Sequence, residues 1–191
     1  MIIVPLDKAL PNNEIENLVT RSEAEIAIFD KKYLDVMKKL KKDINVNLQM
    51  LICMDNVNDN EVESFTELLK KGKELIKSGD NHYDSIEVNP EKMSVMLFTS
   101  GTTNIPKAVM LSQKNICANL SDFASWVKLY PTDTLLSFLP IHHTFECTVT
   151  FLYGFYSGCT VAFCDGLKYI QKNLAEYKVS VFVAVPLVME T

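Results

Sequence analysis

The sequence predicts an α/β fold: helices and strands alternate, the sheet is mostly parallel, and helices cover both faces. Two observations carry this. The strand candidates are solid apolar runs, as in Leu48 to Met54 and Val179 to Val185, rather than half-polar alternations. That pattern belongs to strands buried on both sides of a parallel sheet. Between them lie stretches with apolar residues at helical spacing, so the period changes from two to three or four and back again.

The elements follow in order. Asn13, with Glu16 three residues on, has the form of a capping box ahead of a helix with Ile15, Leu18 and Val19 on one face. Glu25 to Phe29 reads as a strand, Leu34, Met37 and Leu40 space a second helix, and Leu48 to Met54 is the next strand. Val62, Phe65, Leu68, Leu69, Leu75 and Ile76 give a long amphipathic helix, stopped near Ser78-Gly79. Polar residues through Pro90 form the expected linker, dividing the chain into a first α/β half (1–90) and a second (91–191). There, Val95 to Phe98 is a strand and Ser112 is the N-cap of a helix with Ile116, Leu120, Phe123 and Ala124. Thr134 to Leu139 is a strand. A buried helix spans about 144–156, and Cys159 to Phe163 is a strand. A helix with Leu167, Ile170 and Leu174 precedes the last strand, Val179 to Val185.

Composition narrows the function. At 191 residues and 48% hydrophobic content the chain can bury a core, and a net charge of −5 with mixed signs marks no nucleic-acid partner. Lys38, Lys39, Lys41 and Lys42 read as a solvated helix face flanked by Asp35 and Asp43. Five cysteines without C-x-x-C spacing, and no charged n-region at Met1, fit reduced thiols in the cytoplasm. Residues 147–164 carry no charge, but Ser157-Gly158 and three threonines break the run. A buried helix and strand explain it better than a membrane span.

Two segments carry chemistry. Thr99-Ser100-Gly101-Thr102-Thr103-Asn104-Ile105-Pro106-Lys107 follows a strand and combines four hydroxyls, one glycine and one cation. Hydroxyls and exposed N–H groups at a strand end form an anion nest, to which an ammonium adds charge. Its natural guest is a polyphosphate, although the spacing is not that of a Walker A loop. Downstream, residues 138–148 read Phe-Leu-Pro-Ile-His-His-Thr-Phe-Glu-Cys-Thr.

The first segment closely resembles the phosphate loop of the adenylate-forming enzymes, which include acyl-CoA synthetases, peptide-synthetase adenylation domains and luciferases. The second matches that family's Leu-Pro-x-x-His-x-x-Glu segment at His143 and Glu146, in the family's order and spacing. Its Phe-Glu ending looks most like the long-chain acyl-CoA synthetase branch. His142 is read as a solvated neighbour. Asn104 stands where the family has Gly; Asn tolerates a left-handed backbone better than most residues.

The resemblance implies an ATP-dependent ligase that joins a fatty acid to AMP and then to CoA. Thr99, Ser100, Gly101, Thr102, Thr103, Asn104 and Lys107 would hold the phosphates, and Lys107 would also stabilise the leaving pyrophosphate. One hydroxyl of the 99–103 loop would touch magnesium, and His143 would line the acyl–adenylate junction. An adenylation domain loading a carrier protein is the alternative enzyme, and a non-catalytic chain with a weak phosphate loop the alternative non-enzyme. The family's Tyr-Gly-x-Thr-Glu segment, ribose-binding Asp and C-terminal Lys domain are not in the sequence. The chain is therefore expected to be an inactive piece of a larger enzyme, to self-associate through its uncovered apolar segments, and to have no transmembrane segment. Peripheral membrane contact is left open.

Overall fold

A computed structural model describes residues 1–99 and 106–184. Their contacts divide into two compact units, one of Lys8–Asn89 and the other of Met1–Asp7 with the chain from Pro90 on.

In the first unit, α1 (Asn12–Ser22) buries Ile15, Leu18 and Val19. The Asn13/Glu16 capping box does not form. The helix opens two residues earlier, with Pro11 as its N-cap, so Asn13 already lies inside it; the Pro11 carbonyl accepts from the Glu14 and Ile15 amides, at 3.0 and 3.1 Å. Glu16 instead accepts from Lys39 Nζ at 2.9 Å. Strand β1 (Ile26–Phe29) leads through a 3₁₀ turn, capped by Asp30, into α2 (Leu34–Lys41). Next come β2 (Met50–Cys53), β3 (Glu63–Ser64) and α3 (Phe65–Lys77). The three strands form a parallel sheet ordered β1-β2-β3, with Phe29 opposite Cys53. Phe29, Tyr33, Met37, Leu40, Leu51 and Cys53 are among the buried side chains of this core, while Ile26 and Ile28 on the other face of β1 are exposed.

Helix α3 begins at Phe65, because Ser64 Oγ accepts from the Glu67 amide at 3.4 Å and fixes the cap there. Val62 therefore lies ahead of the helix. Its end is where the sequence puts it: Gly79 turns left-handed at φ +88°, the conformation that favours glycine after a helix. None of its side chains is buried among the described residues.

In the second unit, β4 (Met93–Thr99) pairs antiparallel with β5 (Lys107–Ser112), and Ile3 adds a parallel bridge to Val95. The sequence does not reveal β5. Its Ala-Val-Met-Leu run reads as the lead into a helix, yet it continues the β4 ladder with Val109 and Met110 exposed. Ser112 caps α4 (Gln113–Trp126) as expected, in a reciprocal box with Asn115: Ser112 Oγ accepts from the Asn115 amide at 3.2 Å, and Asn115 Oδ1 accepts from the Ser112 amide at 3.0 Å.

Strand β6 (Thr134–Ser137) pairs parallel with β7 (Thr160–Phe163). Between them the chain runs through a π-helical segment, Glu146–Leu152, and a last α turn, α5 (Tyr153–Tyr156). The uncharged run is thus helix, turn and strand, and among the described residues no helix is long and apolar enough to cross a membrane. Leu135 and Leu136 are fully buried. After β7, a 3₁₀ turn leads to α6 (Ile170–Glu176). The expected last strand is reduced to one bridge, Val181 to Leu135, within the part described; residues from Val185 lie outside it.

Candidate functional site

The phosphate-loop segment begins and ends on a strand ladder. Thr99 closes β4, Lys107 opens β5, and the two are register partners across the antiparallel pair. Both are exposed. Ser100, Gly101, Thr102, Thr103, Asn104 and Ile105 lie outside the described residues. The ladder thus brings the first hydroxyl and the cation of the motif to the same end of a hairpin, although they are eight positions apart in sequence.

The His motif follows β6. Strand pairing stops at Ser137, earlier than the expected Leu139, and Pro140 starts a tight turn in which its carbonyl accepts from the His143 amide at 2.9 Å. His143 Nδ1 accepts from the Phe145 amide at 3.3 Å. With Nδ1 accepting, the ring proton sits on Nε2. Leu139, Pro140, His143, Phe145 and Glu146 line an open, mainly apolar pocket of about 210 Å³. His142, expected to be solvated, is half-buried, with Nε2 3.8 Å from Asp7 Oδ2.

Glu146 behaves unlike a surface acid. Its side chain is 0% exposed. One carboxyl oxygen lies 2.6 Å from Ser137 Oγ, the other 3.0 Å from Thr150 Oγ1, and the Phe138 backbone supplies a further hydrogen bond. Burial pushes the carboxyl above its ordinary range, while the three hydrogen bonds pull it back. Burial also raises the neighbouring Cys147 thiol, with Glu146 adding to the effect. A π-helical stretch widens the backbone just where this acid enters the core, a deviation common at functional sites. The sequence singles out Glu146 but not Ser137 or Thr150. The available signal was Thr150 one turn beyond Glu146, on the same helix face.

Past β7 a second buried polar group closes the chain. Asn173, fully buried, accepts from the Asp165 amide at 3.0 Å and donates to Asp165 Oδ2 at 2.9 Å. Cys164 Sγ lies 3.3 Å from Asn173 Oδ1.

Among the described residues, no group of three His, Cys, Asp or Glu side chains could hold a metal ion. At the hairpin end the described residues place one hydroxyl, Thr99, opposite one ammonium, Lys107.

Comparison with known proteins agrees with the motifs. The chain is 29% identical to the rat long-chain-fatty-acid–CoA ligase 5 over 97% of its own length and 29% of that enzyme's. It is 30% identical to the human long-chain-fatty-acid–CoA ligase 1, over 91% of this chain and 27% of the relative. Among solved structures, a long-chain-fatty-acid–CoA ligase from Archaeoglobus fulgidus superposes with a TM-score of 0.78 at 24% identity, covering 98% of this chain and 35% of that one. An anthranilate CoA ligase in complex with anthranoyl-AMP gives 0.80 at 17% identity, over 98% and 36%. The chain thus spans under a third of the length of the curated relatives it matches. The sequence model of the AMP-binding enzymes matches residues 1–191, and the chain belongs to that family.

Proposed function

We propose that this chain carries the phosphate loop and the His143 pocket of an ATP-dependent ligase that joins a long-chain fatty acid to CoA. One observation carries the reading: the β4–β5 ladder sets Thr99 and Lys107 side by side at the two ends of the hydroxyl-rich loop. A cation and hydroxyl donors at one point are what a triphosphate requires.

In this reading the loop from Thr99 to Lys107, with Ser100, Gly101, Thr102, Thr103 and Asn104, binds the ATP phosphates. Lys107 and the hydroxyls stabilise the charge that grows on pyrophosphate as the fatty carboxylate attacks the α-phosphorus. Donors fixed beforehand at that place lower the barrier, because they need no reorganisation during the reaction. A hydroxyl of the 99–103 loop would share the magnesium carried by ATP, which neutralises phosphate charge when bound. His143 lines a mainly apolar pocket, where it orients the acyl–adenylate junction rather than removing a proton. Leu139, Pro140 and Phe145 give that junction an apolar wall. The CoA thiol then takes the acyl group from AMP. The named relatives are CoA ligases, which favours CoA over a carrier protein as acceptor.

The 191 residues by themselves are expected to bind phosphate without turnover, since the sequence has no Tyr-Gly-x-Thr-Glu segment for adenine and magnesium. Calorimetric titration with magnesium-ATP and with pyrophosphate tests the first statement. Absence of any phosphate binding would remove the loop assignment. Pyrophosphate release with ATP, magnesium, palmitate and CoA tests the second, and turnover above a protein-free control would overturn it.

A further inference from the structure

We propose that Glu146 is a positioning residue that bolts both ends of the His143 turn to the core and does not itself touch substrate. Eight residues, Phe138 to Phe145, separate Ser137 at the end of β6 from the π-helical segment. They include four of the five residues lining the pocket, His143 among them; the fifth is Glu146, whose side chain has no exposed surface. One side chain closes this turn at both ends. Glu146 holds Ser137 Oγ at 2.6 Å and the Phe138 backbone on the strand side, and Thr150 Oγ1 at 3.0 Å on the helix side.

Two further facts favour a positioning role over direct chemistry. Glu146 is fully buried, and both of its oxygens are engaged by the protein. Among the described residues no ion pair involves Glu146, and its partners are hydrogen-bond donors. Burying a carboxyl without a counter-charge is costly. Here the cost falls beside the pocket, where the backbone also departs from regular α-helix. A polar tie at that place fixes one geometry of the turn, which an apolar side chain of similar size would leave loose.

The inference rests on the reading of His143 as a site residue, but its test does not need substrate. Three variants, Glu146→Ala, Glu146→Gln and Thr150→Val, are compared with wild type in the 191-residue chain by amide hydrogen exchange and by the imidazole nitrogen shifts of His143. In Glu146→Ala, exchange of amides 139–145 is expected to rise at least about tenfold, as the loss of hydrogen bonds to a carboxyl allows. The β4–β5 amides are expected to stay unchanged, and the His143 signals to move or broaden. Glu146→Gln keeps the shape and one acceptor, so it should restore most of the protection. Thr150→Val removes only the helix-side tie and should give an intermediate increase; it also carries the test if Glu146→Ala does not fold. Wild-type exchange and His143 shifts in the folded variants would overturn the proposal. So would a uniform rise across the whole unit, which marks a structural role alone. Titration of the same proteins with magnesium-ATP separates failure here from failure of the ligase reading.

Discussion

Gly154→Ala tests how tightly the helix bearing the site is seated on its strands. Gly154 lies in α5, and a Cβ built there would sit 2.8 Å from Val161 Cγ2 on β7, with the Leu135 methyls at 3.7 and 3.8 Å. Carbon pairs are comfortable at about 3.5–4.0 Å, so Val161 or the helix would have to yield by roughly 0.7 Å. Val161 yields poorly, because a β-branched side chain in a strand has a restricted χ1. Its neighbour Leu135 is fully buried on the paired strand β6. Two effects oppose. Replacing glycine in a helix stabilises by about 0.5–1 kcal/mol, and less in so short a helix. Overpacking costs about 1–3 kcal/mol. The clash wins, and Gly154→Ala should destabilise by about 1–2 kcal/mol. Urea denaturation followed by circular dichroism gives the value. The cause is isolated by a cycle with Val161→Ala: with the methyls gone the alanine fits, so the double variant should be more stable than the sum of the singles by about 1 kcal/mol or more. If Gly154→Ala is as stable as wild type, or the two changes simply add, the close seating of α5 on β7 is wrong.

Three further outcomes are expected. Lys107→Ala should weaken binding of magnesium-ATP or pyrophosphate by about ten- to a hundredfold in calorimetry and leave the fold intact; equal affinities would take Lys107 out of the site. Asn173→Ala removes a fully buried side chain and its two hydrogen bonds to Asp165, which is itself exposed, and should cost about 1–2 kcal/mol in denaturant unfolding; no measurable loss would mean that these bonds do not hold the segment. Glu146 gives a pH signature. Its carboxyl is raised in the folded chain above the ordinary 4.5, so the folded state holds its proton more tightly than the unfolded state. Stability from this group is therefore complete below about 4.5 and is lost as pH rises through the folded value. The melting temperature of Glu146→Gln minus that of wild type should become more positive as pH climbs from 4.5 toward neutral; a flat difference would refute the assignment.

The alternation of helices and strands was legible because each helix or strand carries its own apolar rhythm. What the rhythm could not show is instructive. Strand β5 has the composition of a buried strand, yet Val109 and Met110 face outward, so its apolar run was absorbed into the approach to α4. Its partner is set by the antiparallel ladder, a long-range fact no local spacing contains. The Asn13/Glu16 pattern was chemically sound, but Glu16 finds Lys39 on another helix, and tertiary pairing overrode a local cap. The π-helical segment was invisible for a different reason. Residues 147–152 carry no charge, so they give no periodicity that could distinguish one helical pitch from another.

The two motifs differ in how sequence encodes them. The proposed phosphate loop is written in consecutive residues, so polyphosphate chemistry can be proposed for it without a fold. The His143 turn is not. Its two visible residues, His143 and Glu146, look like a pair that shares one reaction, because they are three apart and both titratable. The geometry separates them: both line the pocket, but among the described residues the His143 ring takes one hydrogen bond, from the Phe145 amide, whereas the Glu146 side chain exposes no surface and is enclosed by Ser137, Phe138 and Thr150. A donor meant for a ligand must keep a free hydrogen-bonding capacity, and a group meant to hold a turn must spend all of its own. By that criterion the proposed reading gives the motif one residue for the ligand and one for the fold, three positions apart. That spacing puts the proposed anchor about one helical turn beyond the residue it would steady, with the Cys147 amide bonded to the His143 carbonyl at 3.1 Å between strand and helix.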